Sequence, residues 1–79
     1  MSNQLVVEGI MCNISENVRK FREKLGLTQQ QLAEKIGVSY PRISEIENSK
    51  GEPKITTIEK VARGLGVSVM DLIRPSRKN

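Results

Sequence analysis

No histidine occurs in the 79 residues and Cys12 is the one thiol, so neither a Ser–His nor a Cys–His nucleophile can be assembled from this chain. A single thiol without histidine is also a poor metal site. There is no glycine-rich phosphate loop and no cluster of carboxylates. We therefore expect no enzyme activity, no metal and no cofactor. What the sequence supplies in quantity is positive charge. Thirteen Lys and Arg stand against nine Asp and Glu, a net charge of +4, and because only Glu8 is charged before Met11 the rest of the chain carries +5. That surplus fits an anionic partner, whether nucleic acid, a membrane surface or an acidic protein, and fits equally a domain that merely stays soluble.

Cys12 alone cannot make an internal disulfide, so nothing points to an oxidising compartment. No apolar run approaches the roughly 20 residues of a membrane span. The start MSNQLVVEGIM lacks a basic leader and a small-residue cleavage site. A cytoplasmic location with no membrane partner is the expectation. At this length one core is expected, and a domain of this size buries only about 60% of the surface its unfolded chain exposes.

From Asn13 onward the pattern is helical. Ile14, Val18, Phe21 and Leu25 step by four, three and four, which places them on one helix face. Asn13 and Glu16 have capping-box spacing, and Gly26 ends that helix. Thr28 and Gln31 repeat the spacing and open a second helix that runs to Ile36 and stops at Gly37. Ser39 caps a third, running to about Asn48, with Pro41 tolerated in its first turn but disfavouring helical geometry at Tyr40. Residues 49–54 read as a loop. A fourth helix starts at Thr56 or Thr57 and buries Ile58, Val61, Ala62 and Leu65. Ser68 and Asp71 open a fifth, very short one that Pro75 stops. The fold class is all-α, with an extension over 1–12, a helical domain over 13–74 and a basic tail over 75–79. The extension is read either as disordered or as dimer-forming, and Met11 is an alternative start.

Two short helices joined by only Gly37, Val38 and Ser39 have no length for an antiparallel return and must cross steeply, which is helix-turn-helix spacing. Ala33 is small where the helices approach, Gly37 can take the left-handed conformation that opens the turn, and Leu32, Ile36, Val38, Ile43 and Ile46 form the buried side. With these residues in place, the stretch LTQQQLAEKIGVSYPRISEIENSKGEPKITTIEKVARGLGV resembles the phage repressor and Cro type (XRE family) of helix-turn-helix proteins, from about Ile14 to Ile73. The resemblance implies a compact five-helix, lambda-repressor-like domain that binds double-stranded DNA and regulates transcription, most simply as a repressor.

Carried over by position, the resemblance gives Gln29 a phosphate contact and a bracing role at the start of the second helix. Thr28 and Ser39 cap the two helices at the same surface. The recognition helix would point its first turns into the major groove, presenting Tyr40, Pro41, Arg42, Ser44 and Glu45. Arg42 can donate two parallel bonds to guanine, Glu45 can accept from cytosine N4, and Tyr40 and Pro41 can pack on a thymine methyl. Tyr40 packing on the scaffold and Glu45 pairing with Arg42 are the competing readings. Lys50 and Lys54, with main-chain donors of Asn48, Ser49 and Gly51, would meet phosphates. Arg22 and Glu47 match positions of a mutual ion pair that ties the first helix to the third.

Proteins of this kind bind palindromic operators as dimers, and a homodimer is expected here. Two surfaces are candidates: Val67, Val69, Met70, Leu72 and Ile73, or the Leu5-Val6-Val7 segment as an added strand or apolar patch. The rival functions are an antitoxin-like or adaptor protein that uses the same fold to hold a protein partner, and non-specific nucleic-acid binding by charge alone. No sensor domain is expected beside the motif.

Overall fold

The computed structural model describes residues 3–75, with side chains from Gly9 onward. Five helices and no strand make up these residues: α1 (Asn3–Lys24), α2 (Gln29–Ile36), α3 (Tyr40–Glu47), α4 (Ile55–Leu65) and α5 (Val69–Ile73). The helix-turn-helix pair α2–α3 packs on α1 and α4, and α5 closes the other side of α1. Ile14 and Val18 of α1 meet Leu32 and Ala33 of α2, Ile43 and Ile46 of α3, four residues of α4 and Leu72 of α5 in one core. No buried side-chain nitrogen or oxygen among the described residues lacks a hydrogen-bond partner.

Four boundaries behave as their residues dictate. Thr28 accepts from the Gln31 N–H while the Gln31 side chain takes the Thr28 N–H, and Ser68 with Asp71 does the same at α5. Ser39 accepts from the Arg42 N–H, with Pro41 inside the first turn of α3, where its missing N–H leaves no intrahelical bond unmade. Gly37 takes a left-handed φ of 72° and turns α2 into α3.

Other expectations give way. The first helix begins at Asn3, not Asn13, so the Leu5-Val6-Val7 backbone is helical and not a strand; the side chains of that segment and the Arg77-Lys78-Asn79 tail lie outside the described residues. Asn13 is no cap, because its amide donates 2.9 Å to the carbonyl of Ile73 on α5. Leu25 lies past the last residue of α1, where the chain unwinds toward Gly26, and is 50% exposed instead of in the core stripe. α4 starts at Ile55 behind Lys54, with no side-chain cap; its buried face carries it, and the hydroxyls of Thr56 and Thr57 are not its start. Leu72 is fully buried and drops out of any dimer surface. Val67, Val69 and Ile73 are partly buried against the core, which leaves Met70, 59% exposed, as the apolar side chain of this segment that stands free.

Candidate nucleic-acid interface

The site is built from the inside outward. At the C-terminal end of α3, Glu47 turns inward and its side chain is fully buried. A buried carboxylate needs donors, and three side chains from two helices supply them. Arg22 of α1 grips both oxygens, Nε to Oε2 at 2.6 Å and Nη2 to Oε1 at 2.9 Å, and its Nη1 also donates 2.8 Å to the Leu27 carbonyl. Gln29, the first residue of α2, donates from Nε2 to Oε1 at 2.9 Å. Arg19 adds a looser pairing at 3.6 Å. Burial pushes the Glu47 carboxyl upward, but Arg22, the Gln29 amide and the Arg19 charge together outweigh it and hold the group below its ordinary value of 4.5. The same carboxylate, through its hydrogen bonds, raises Arg22 above the ordinary guanidinium value. The result ties the end of α3 to the start of α2 and the last turns of α1.

Above this hub the first turns of α3 face solvent. Tyr40, Pro41, Arg42 and Glu45 are exposed and Ser44 is half-buried. Tyr40 is 47% exposed, so its ring is not enclosed by the scaffold. Arg42 and Glu45 approach within 4.0 Å as an exposed pair, an arrangement worth only about 0.2–1 kcal/mol and easily given up to a partner. Lys50 and Lys54 line one shallow cleft with Arg42 and Glu45, so the loop cations and the α3 side chains share a face. Glu52 lines that cleft too, an acidic side chain among its cations.

The main-chain donors are only partly available. The Asn48 N–H closes on Ser44 and Glu45, and the Ser49 N–H on Ile46, at 3.0–3.2 Å. These amides are consumed in ending α3, which removes Asn48 and Ser49 as backbone donors to a ligand. The Asn48 side chain is likewise folded back, giving its amide hydrogens to the Ser44 carbonyl and hydroxyl. The Thr28 and Ser39 hydroxyls both accept from their own helices as caps. Ser49 is also the one non-glycine residue at positive φ among the described residues, at 58°, a conformation that costs a side chain roughly 1–2 kcal/mol.

Sequence reasoning missed the partners that span the chain. Ser15 is buried in α1 and reaches both the Ile46 carbonyl and the Ser49 hydroxyl. Arg19 supports the hub, and Asn13 and Asn17 hold α5. The signal for the last two was present: polar residues four apart, flanking the buried Ile14 and Val18, sit where a solvated face would not be.

A pair of short helices joined through Gly37, braced from beneath and presenting the first turns of its second helix to solvent, defines a DNA-binding module of the lambda-repressor type. The chain belongs to the helix-turn-helix family HTH_3, the Cro and phage-repressor group, whose sequence model matches residues 18–72. It is 30% identical over 63 residues to an uncharacterized HTH-type transcriptional regulator, y4dJ, of Sinorhizobium fredii, spanning 80% of this chain and 82% of that one. It is 33% identical over 60 residues to the immunity repressor of Bacillus phage phi105, spanning 76% of this chain but only 42% of the repressor. Among solved structures, the hypothetical transcription factor NHTF from Neisseria superposes with a TM-score of 0.81 at 30% identity, covering 84% of this chain and 76% of that one. Among the described residues no helix is long and apolar enough to cross a membrane.

Proposed function

We propose that the protein is a non-catalytic, cytoplasmic transcriptional regulator, acting as a repressor, that binds a palindromic double-stranded operator as a homodimer. The observation that carries this reading is the contrast at α3. Its base is locked by Glu47, Arg22 and Gln29, while Arg42, Glu45 and Tyr40 on its first turns are left over by the fold. A helix held this firmly can enter the major groove without reordering, and its spare side chains are of the types that read base edges. In this reading Arg42 contacts guanine and Glu45 cytosine, while Tyr40 and Pro41 pack on a thymine methyl and Ser44 lies between them. Lys50, Lys54 and the Gly51 amide meet phosphates from the following loop, and Gln29 approaches one from the start of α2. The phage repressor among the relatives supports repression, and the exposed Met70 with its half-buried neighbours Val67, Val69 and Ile73 supplies an apolar contact for the second copy.

Selection of sites from a random duplex library, at about physiological salt, tests it. The expected result is a palindrome with half-sites about 34–36 Å apart, one helical turn. On the recovered site, Arg42→Ala should cost about 1–3 kcal/mol and relax preference at one base position, while Lys50→Ala should weaken all sequences alike and reduce the salt slope. Failure to enrich any motif, or equal sequence-independent losses in both variants, would sink the reading.

A further inference from the structure

Four helices of this fold end in the same way, and one differs in the residue that makes the turn. After α1, α2, α3 and α4 a left-handed residue reverses the chain. The residue following it then donates its N–H to a carbonyl five positions back: Leu27 to Arg22, Val38 to Ala33, Lys50 to Glu45 and Val67 to Ala62. This hydrogen bond satisfies a carbonyl that the helix itself leaves open. Three of the turns use glycine, at Gly26, Gly37 and Gly66, and the turn after α3 uses Ser49. A side chain resists this conformation because Cβ crowds the following carbonyl. Ser49 must therefore gain something that glycine would not.

What it gains is a partner 34 residues away in sequence. The Ser49 and Ser15 hydroxyls lie 2.5 Å apart, and Ser15 Oγ also lies 2.6 Å from the Ile46 carbonyl and 2.9 Å from that of Met11. Ser15 has one hydroxyl proton, and carbonyls only accept. With that proton given to a carbonyl, the Ser49 hydroxyl is the donor to Ser15. Ser15 is thus a buried anchor on α1 that holds the first residue of the 49–54 loop, the segment that sets Lys50 and Lys54 beside Arg42.

We propose that the Ser15–Ser49 pair is a latch that sets the course of the 49–54 loop before DNA arrives, with Ser15 a positioning residue acting through Ser49. The proposal rests on the DNA-binding reading above and extends it to how the backbone-contacting loop is prepared. A loop ordered in the free protein loses less conformational freedom on binding than one hinged at glycine. The latch therefore acts on affinity for any duplex, not on the choice of bases.

The test compares the full chain with Ser15→Ala, Ser49→Gly and the double variant. Backbone order parameters at Gly51, Glu52 and Lys54 are measured by NMR in the free protein, and affinities for the selected operator and for an unrelated duplex are measured at one salt concentration. Ser49→Gly relieves the strained turn, so it should melt no lower than the parent. Its loop order parameters should nevertheless fall, and its affinity for both duplexes should drop by the same factor, about threefold to tenfold. Ser15→Ala should do likewise, and the double variant should bind no worse than Ser49→Gly alone, because the pair acts as a unit. Unchanged order parameters would overturn the latch, as would a mobile loop with parental affinity or additive losses in the double variant. If the parent binds neither duplex, the DNA-binding reading fails and the positioning role with it, while the order parameters still decide whether the hydroxyls hold the loop.

Discussion

Two regions of this molecule meet their polar requirements in opposite ways. Where α1 meets α5, the polar side chains belong entirely to the fold. α5 ends at Arg74 and Pro75 with no left-handed residue to close it, and its last carbonyls are satisfied from outside. Asn13 donates to Ile73, and both amide hydrogens of Asn17 are used, on Leu72 at 2.8 Å and Arg74 at 2.7 Å. Where α1 meets α2 and α3, the polar groups form two layers. Arg22, Gln29 and Glu47 converge inside, while Arg42, Glu45, Lys50 and Lys54 stand outside with one loose ion pair among them. The difference separates groups the fold requires from groups it leaves free, and only the second region offers charge for a partner to use.

The largest effect is expected at the inner layer of the second region. Glu47→Ala strips Arg22 and Gln29 of their acceptor and leaves a confined guanidinium with only the exposed Glu23 carboxylate, 4.0 Å away, as counter-ion, which should cost about 3–5 kcal/mol, a large fraction of what a domain this small has. Thermal or urea denaturation measures it; a loss under about 1 kcal/mol, the range of an exposed pair, would mean that the hub does not hold the two helices. The milder Glu47→Gln gives the pH signature. The folded state lowers the carboxyl below its ordinary 4.5, so its contribution is complete above that value and disappears as pH falls through the folded pKa. The parent should therefore lose stability faster than Glu47→Gln on acidification below about 4.5. Parallel acid profiles for the two proteins would contradict this account.

At the other region, Asn17→Ala leaves two carbonyls of α5 without donors and should cost about 1–3 kcal/mol. Its value lies in what it should not do. Below its unfolding transition the variant should bind a single half-site duplex as tightly as the parent, because no group on the α3 face is touched and a half-site does not call on the proposed dimer contact around α5. A drop in affinity of the folded variant would show that α5 communicates with the reading face and would erase the distinction between the regions.

The same distinction explains what could be read from the sequence. Features whose partners are three to five residues away were legible: the boxes at Thr28–Gln31 and Ser68–Asp71, the turn at Gly37 and the buried stripe of α4. Asn13 shows the limit. Its spacing to Glu16 satisfies a local rule, but its amide is claimed by a carbonyl 60 residues on, and no local pattern carries that information. Ser15 and Arg19 were invisible for the same reason. Leu72 failed differently. The apolar excess around α5 suggested a partner surface, yet a five-residue helix has little area of its own, and the core took Leu72 whole while Val67, Val69 and Ile73 packed on its rim. The outward face of α3 was legible because the core positions Ile43 and Ile46 fix which residues remain outside.

The caps of α2 and α5 differ in one ionisable group. Thr28–Gln31 and Ser68–Asp71 are the same device, a hydroxyl accepting from the third residue of its helix while that residue's side chain takes the cap N–H. Ser68→Ala and Thr28→Ala should each cost about 1 kcal/mol of stability. They should then diverge in two ways. Asp71 is held below its ordinary 3.8 chiefly by the Ser68 backbone N–H, so the α5 cap is at full strength above that value and weakens as pH falls through the folded pKa, whereas the neutral Gln31 gives the α2 cap no such dependence. Thr28 also precedes Gln29 at the proposed phosphate contact, so fraying there should weaken binding to every duplex, while Ser68→Ala leaves binding of the folded protein to a single half-site intact. Melting curves at pH 3 and pH 7, as order-of-magnitude brackets around the carboxylate range, with affinities for a single half-site and for unrelated DNA, resolve both. Equal binding losses from the two variants would mean that the caps act only through global stability, and the two-region picture would no longer account for where DNA contact is made.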